Sequence, residues 1–169
     1  KTKLRKWDFD TFKQHHTTGD AYTQLTDLPK SVKEIIDVEN SENLIIQHNN
    51  ELAYTQVSDQ AKHDGVIIEG LSEALVNHSD LVQKYFMTKA VDVDEHRLTA
   101  LHTALVNGGI FVYVPKNTVV EHPIQYVVLH DDEQASFYNH VIIVTEESAE
   151  VTYVENYLST TSGEDNQLN

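Results

Sequence analysis

The chain has 169 residues, is 40% hydrophobic, lacks cysteine, and sets 27 Asp plus Glu against 12 Lys plus Arg for a formal net charge of −15. Such an acidic surface repels phosphate backbones and anionic bilayers, and no basic stripe interleaved with aromatics offsets it, so nucleic acid and membrane are not expected partners. No run approaches the roughly 20 apolar residues of a spanning helix and no signal-peptide pattern is visible. Without cysteine there is no disulfide framework, which leaves the cytoplasm as the expected compartment.

Along the chain, Lys1, Lys3, Arg5 and Lys6 form one basic cluster, Trp7, Phe9 and Phe12 read as a hydrophobic anchor, and His15-His16 reads as a solvated pair. Asp27, Pro29 and the spacing of Val32, Ile35 and Ile36 predict a short helix with an early proline. Leu44-Ile45-Ile46 and Leu52 to Val57, joined through Asn49-Asn50, predict a hairpin whose turn residues tolerate positive φ. Val66-Ile67-Ile68 reads as a strand after Gly65. Ser72 is placed to cap a helix carrying Leu75 and Val76, and Ser79 a second carrying Leu81, Val82, Tyr85 and Phe86. Asp94 starts a third, with Leu98, Leu101 and Leu105 along one side, ending at Asn107-Gly108.

From Gly108-Gly109 onward the pattern changes. Ile110 to Val114 is apolar on both faces, as in a strand buried on two sides, and Pro115 ends it. Ile124 to Leu129, Ser136 to Thr145 and Glu150 to Leu158 follow as strand candidates, separated by acidic turns at Asp131-Asp132-Glu133 and Glu146-Glu147. No helix of useful length fits between them. That argues against βαβ units and leaves a sandwich, a barrel or a β-solenoid, among which periodicity does not choose. The chain divides into an N-terminal helix/strand region, 1–107, and a β-rich region, 108–169. It begins at Lys1 without Met and stops in the turn-like Ser162 to Asn166. A solenoid needs about three or more stacked units for a continuous core, so the chain reads as a piece of something longer, its last rung an edge open to aggregation or edge-to-edge dimers.

Most apparent motifs dissolve on inspection. Gly65 to Ser72 has the glycine spacing of a phosphate-binding loop, but Leu71 stands where its lysine must be and the spacer is a β-branched strand. His122, His130 and His140 fall in or beside strands, with Glu121, Asp131, Asp132, Glu150 and Glu155 nearby in sequence. A cupin-like site using those three histidines is one reading, although the H-x-H pair of such sites is missing. His96 and His102 lie on different faces of one helix and cannot share an ion. There is no cysteine nucleophile and no G-x-S-x-G elbow, and the acidic clusters read as solvated turns. No catalytic, cofactor-binding or metal residue is assigned.

Phe111-Val112-Tyr113-Val114-Pro115-Lys116, followed by Val120-Glu121-His122-Pro123-Ile124-Gln125, resembles the SufB/SufD family of iron–sulfur cluster assembly scaffolds. The likeness continues upstream through Gly65 to Val76, Leu81 to Phe86 and Leu98 to Leu105, and the absence of cysteine looks more like SufD than SufB. The resemblance implies an α+β chain, its N-terminal α/β region leading into the first rungs of a right-handed parallel β-helix. It implies a non-enzymatic scaffold subunit working with a SufB-like paralogue and a SufC-like ABC-type ATPase. Clusters are normally held by thiolates, so no cofactor is expected in this segment and any iron–sulfur cluster belongs to the complex as a whole. Two other readings stand beside it: the cupin-like metal-dependent enzyme, and a plain protein-interaction module.

Overall fold

The computed structural model describes residues 21–132, 136–159 and 167–168. The basic cluster, Trp7, Phe9, Phe12, the His15-His16 pair, Glu133 and the Ser162 to Asn166 turn lie outside the described residues.

The chain is mixed α+β. A 3-10 turn at Leu25–Asp27 leads to α1 (Lys30–Lys33), and a second at Val38–Asn40 to β1 (Asn43–His48), which turns back into β2 (Glu51–Gln56). Then come α2 (Asp59–His63), β3 (Ile67–Gly70), α3 (Leu71–Asn77), α4 (Ser79–Tyr85) and α5 (Arg97–Leu105). The β-rich part supplies β4 (Ile110–Val114), β5 (Ile124–His130), β6 (Ser136–Phe137), β7 (Ile142–Thr145), β8 (Tyr153–Ser159) and β9 (Gln167–Leu168).

Three sheets result, in the orders β2-β1-β5-β8, β3-β4-β7 and β6-β9. The later pairings share one logic. Phe111 faces Ile142, Ile124 faces Tyr153, Ser136 faces Gln167, Gly108 bridges Asn139 and Val119 bridges Glu150, all in parallel. Each partner therefore lies about 30 residues further along, within the range of one structural repeat in stacked proteins. The antiparallel strands β2 and β3 cover the opposite ends of the two larger sheets. Both of those sheets take strands from either side of Gly108.

Side-chain alternation assigns the layers. Ile45, Ile124, Tyr126 and Val128 meet Ile68, Ile110, Val112 and Val114 in a core between the two larger sheets. The opposite faces carry Leu44, Ile46, Val127 and Leu129, which pack on Leu28, Val32 and Ile36 from the segment around α1. Phe111, Ile142 and Val144 face outward from the second sheet onto Leu71, Ala74 and Val82 of α3 and α4. Helix, sheet, sheet, helix is the order of layers. It explains why β4 and β5 read as near-continuous apolar runs: every residue of β5 is buried.

The hairpin forms as expected, with Asn49 at φ 55 and a register shift between Ile46 and Gln47. The Asn49 side chain accepts from the Asp131 N–H and donates to its carboxylate, each at 3.1 Å. Asn49→Ala is expected to cost about 2–3 kcal/mol and Asn49→Gly about 1 kcal/mol less, because glycine keeps the positive φ but not the amide bonds. Urea unfolding of both variants checks this; equal losses would sink it.

Several expectations need correction. The helix expected to follow a Ser72 cap starts two residues earlier, at Leu71, whose N–H donates to the Gly109 carbonyl at 2.9 Å. It buries Leu71 and Ala74, while Leu75 and Val76 are 49% and 82% exposed. A tertiary bond thus sets the start of the helix, and with it the buried face. The third helix is capped by His96, not Asp94: His96 Nδ1 accepts from the Leu98 N–H at 3.2 Å, and Thr99 Oγ1 accepts from the His96 N–H at 3.0 Å. The single strand expected over Ser136 to Thr145 is two, in different sheets, because the chain turns a corner at Asn139. Its successor begins at Tyr153 rather than Glu150. Helix α2 was not expected, although its signals stand in the sequence. Ser58 Oγ accepts from the Ala61 N–H at 3.1 Å, and Gly65 at φ 73 ends the helix with the Val66 N–H donating to Ala61 at 2.9 Å.

Candidate junction site

The segment Val106 to Gly109 links α5 to β4 and is where the helical and stacked-strand parts meet. Gly109 sits at φ +125, and a Cβ there would lie 2.0 Å from the His140 carbonyl oxygen. The backbone therefore runs directly against the next pass of the chain. The Asn107 N–H donates to Tyr138 O at 3.2 Å, and the His140 N–H to Gly108 O at 3.0 Å. Asn107 adds its side chain, accepting from the Tyr138 N–H at 2.9 Å and donating to Ser136 O at 2.7 Å.

Beneath this link lies a buried polar network. Gln47 Oε1 accepts from the Gly109 N–H at 3.1 Å and from the Tyr126 hydroxyl, and Gln47 Nε2 donates to Asn49 O at 2.8 Å. The Tyr126 hydroxyl also lies 3.1 Å from Asn139 Oδ1, and Asn139 reaches the Tyr157 hydroxyl at 3.3 Å. Tyr157 in turn donates to Glu155. Burial raises the Tyr126 phenol well above its ordinary value, and burial with the Glu155 bond takes Tyr157 to about 12. Both hydroxyls stay protonated at any physiological pH. They act as fixed hydrogen-bonding groups and not as proton carriers.

A cavity of about 710 Å³ opens beside the link, lined by Gln47, Asn50, Glu51, Glu73, Asn107 and Gly109 with Leu52, Leu71 and Leu75 among their neighbours. A second, of about 490 Å³, is mostly apolar and lies against α5 and β7, with Met87, Val91, Leu98, Ile142 and Val144 in its wall. His102 and His140 line it together, Nε2 of one 2.9 Å from Nδ1 of the other. Burial lowers both imidazoles; His140 falls to about 4, helped by the neighbouring His102 charge.

The three strand histidines weighed as ligands go to separate places. His122 Nδ1 lies 3.4 Å from Glu42. His130 is buried at the end of β5, its ring 5.9 Å from Phe137. His140 meets His102. Among the described residues no three His, Asp or Glu side chains come together as an ion site, so these three do not form a ligand set. His96 and His102 part company as expected, one capping α5 and the other reaching the strands.

Asp131 is more than a solvated turn. It takes 2.8 Å and 3.1 Å bonds from His48 and Asn49. Burial alone would raise its carboxyl, yet those two bonds outweigh it and hold the group below its ordinary value. Glu146 likewise lies 3.4 Å from the hydroxyls of Tyr85 and Tyr113. In the Gly65 to Ser72 segment the spacer is strand β3 and Leu71 opens a helix, so nothing there cradles a phosphate. No helix among the described residues is long and apolar enough to cross a membrane.

Gln47, Tyr126 and Asn139 escaped the sequence reading. A polar Gln47 inside the apolar run Leu44 to His48 was the available hint, but nothing local named its partners. The His102–His140 contact left no local signal at all.

Comparison with known proteins adds a consistent picture. Residues 21–126 match a family described as the SufBD protein N-terminal region. The chain is 46% identical over 170 residues to the iron-sulfur cluster assembly protein SufD of Bacillus subtilis, an alignment covering 100% of this chain and 39% of that protein. It is 30% identical over 139 residues to an iron-sulfur cluster assembly SufBD family protein of Pyrococcus horikoshii, covering 78% of this chain and 31% of the relative. A SufBD family protein of Staphylococcus saprophyticus is 30% identical over 109 residues, 64% of this chain and 23% of its own. The chain thus spans about two-fifths or less of the length of these relatives.

Proposed function

The chain belongs to the SufB/SufD family of iron–sulfur cluster assembly proteins, and on that footing we propose that it is the N-terminal and early-core part of a non-catalytic, SufD-like scaffold subunit. It works with a SufB-like paralogue and a SufC-like ABC-type ATPase in a SUF-type assembly complex in the cytoplasm. The observation that carries this reading is the 46% identity running through the whole chain to a protein named for cluster assembly.

The architecture supports the scaffold role. Parallel partners spaced about 30 residues apart are what successive turns of a coil produce. We read 108–169 as the first rungs of a parallel β-helix, right-handed by the general handedness of parallel crossovers, and 1–107 as the region that leads into it. Stacked turns fill their interior with packed side chains, as Ile110, Val112, Ile124 and Val128 do here, and present a rigid outer surface to partners. An iron–sulfur cluster is cargo of the complex. Lacking cysteine, this segment brings no thiolate to it.

Affinity capture of the full-length protein from its own cells tests the proposal. Recovery of a P-loop ATPase together with a homologous second subunit is the expected outcome. Recovery of the protein alone, across gentle and cross-linked conditions, would overturn it.

A further inference from the structure

Helix α5 is held to the body in an unusual way. None of its nine residues is fully buried, and Leu98 is 36% exposed. Thr99 bonds to Val93 and His96, and Thr103 to Thr99, all inside the same stretch of chain. His102 instead reaches across to the strand part, where His140 is fixed by its own N–H bond to Gly108. The ring centroids are 5.1 Å apart for a nitrogen separation of 2.9 Å. That is close to head-on, the geometry of an N–H···N bond and not of two lone pairs converging on a third atom. The Phe86 ring packs on His140 at 4.7 Å.

We propose that the His102–His140 contact is a pH-operated latch: it pins α5 over the apolar cavity near neutrality and releases it when both rings carry a charge. A neutral pair bonds with one ring donating. One added proton leaves an imidazolium donating to a neutral ring, so the bond survives. A second removes the last acceptor and sets two cations 2.9 Å apart. Among the described residues of the cavity wall no side chain offsets that charge. The other ionisable groups in the cavity wall are Tyr85 and Lys89, the rest being Val141 to Val144 from the strand side, Thr99 and Leu98 from α5, and Met87, Ala90 and Val91 from the preceding loop. No carboxylate is among them.

The direction of the response follows from burial. Burial holds both rings below the ordinary 6.5 while α5 is docked, and release brings them back towards it. The docked form is therefore favoured above that value, and its advantage is lost as pH falls from about 6.5 towards 4. Release uncovers Leu98 and the cavity floor at Ile142 and Val144.

Hydrogen exchange on the full-length protein, corrected for the intrinsic pH dependence of exchange, tests the latch. From pH 7 to pH 4.5, protection of 97–105 is expected to fall by at least about tenfold while that of β5 holds. His140→Gln, which hydrogen-bonds but does not ionise in this range, should keep 97–105 protected at both pH values. His102→Gln should do the same and carries the test if the first variant folds poorly. A flat wild-type profile, a fall shared equally by β5, or the same fall in the glutamine variants would each overturn the proposal.

Discussion

Gly109→Ala is expected to cost more than about 4 kcal/mol, enough to leave much of the protein unfolded given the usual 5–15 kcal/mol of a domain. Two effects add. At φ +125 a side chain is strained wherever it sits, and here its Cβ would lie 2.0 Å from one backbone atom of His140 and 2.7 Å from two more. Backbone cannot swing aside as a side chain does, so relief means parting Gly108 from Asn139 and breaking the parallel bridge between them. Gly65→Ala separates the two effects. It too has a positive φ, 73, but the nearest atom to its new Cβ is Pro115 Cγ at 3.7 Å, so only the conformational cost remains, about 1 kcal/mol. Urea midpoints for both variants decide the matter. A Gly109→Ala protein as stable as Gly65→Ala would show that the close approach does not constrain the fold.

Gln47→Leu should cost about 2–4 kcal/mol despite its similar volume. The change removes the acceptor of the buried Gly109 N–H and of the Tyr126 hydroxyl, and the donor to Asn49 O. A buried polar group left without its partner costs about 1–3 kcal/mol. Asn139 still lies within reach of Tyr126, which moderates the loss. Tyr126→Phe is the companion change, and the double variant should lose less than the two singles together by about 0.5–3 kcal/mol. Strict additivity would mean that the two side chains do not act as one unit. Under the proposed scaffold function, a Gln47→Leu protein loosened at the link between α5 and β4 is expected to capture less of the ATPase and the second subunit in the pull-down.

Much of this was open to a reader of the sequence. Asn49-Asn50 announced a turn that accepts positive φ, and Asn49 adopts it. The apolar run around Val112 announced a strand buried on both faces, which helices on one side and a second sheet on the other now explain; the same burial of the strand around Val127 is a finding of the structure. Asn107-Gly108 announced a helix stop, and the helix ends just before it, at Leu105. Gly108-Gly109 announced the boundary, and the backbone of His140, about 30 residues further on, is what Gly109 lies against. Failures cluster where a distant contact overrode a local signal. Ser72 looks like a cap, yet the Gly109 carbonyl takes the Leu71 N–H and the helix starts early, leaving Leu75 and Val76 outside. Asp94 looks like a cap, yet His96 does the work.

The sequence by itself determined the elements that depend on near neighbours: the hairpin, the strands, the two-faced burial of Ile110 to Val114, the break at Gly108-Gly109, and the family likeness. Those follow from sterics and side-chain alternation within a few residues. Only the tertiary structure decided who meets whom across turns: Gln47 with Tyr126 and Gly109, His102 with His140, Asp131 with His48 and Asn49. Parallel register is fixed by hydrogen bonds between strands about 30 residues or more apart. Local periodicity states which way a side chain points, and leaves its partner to the register.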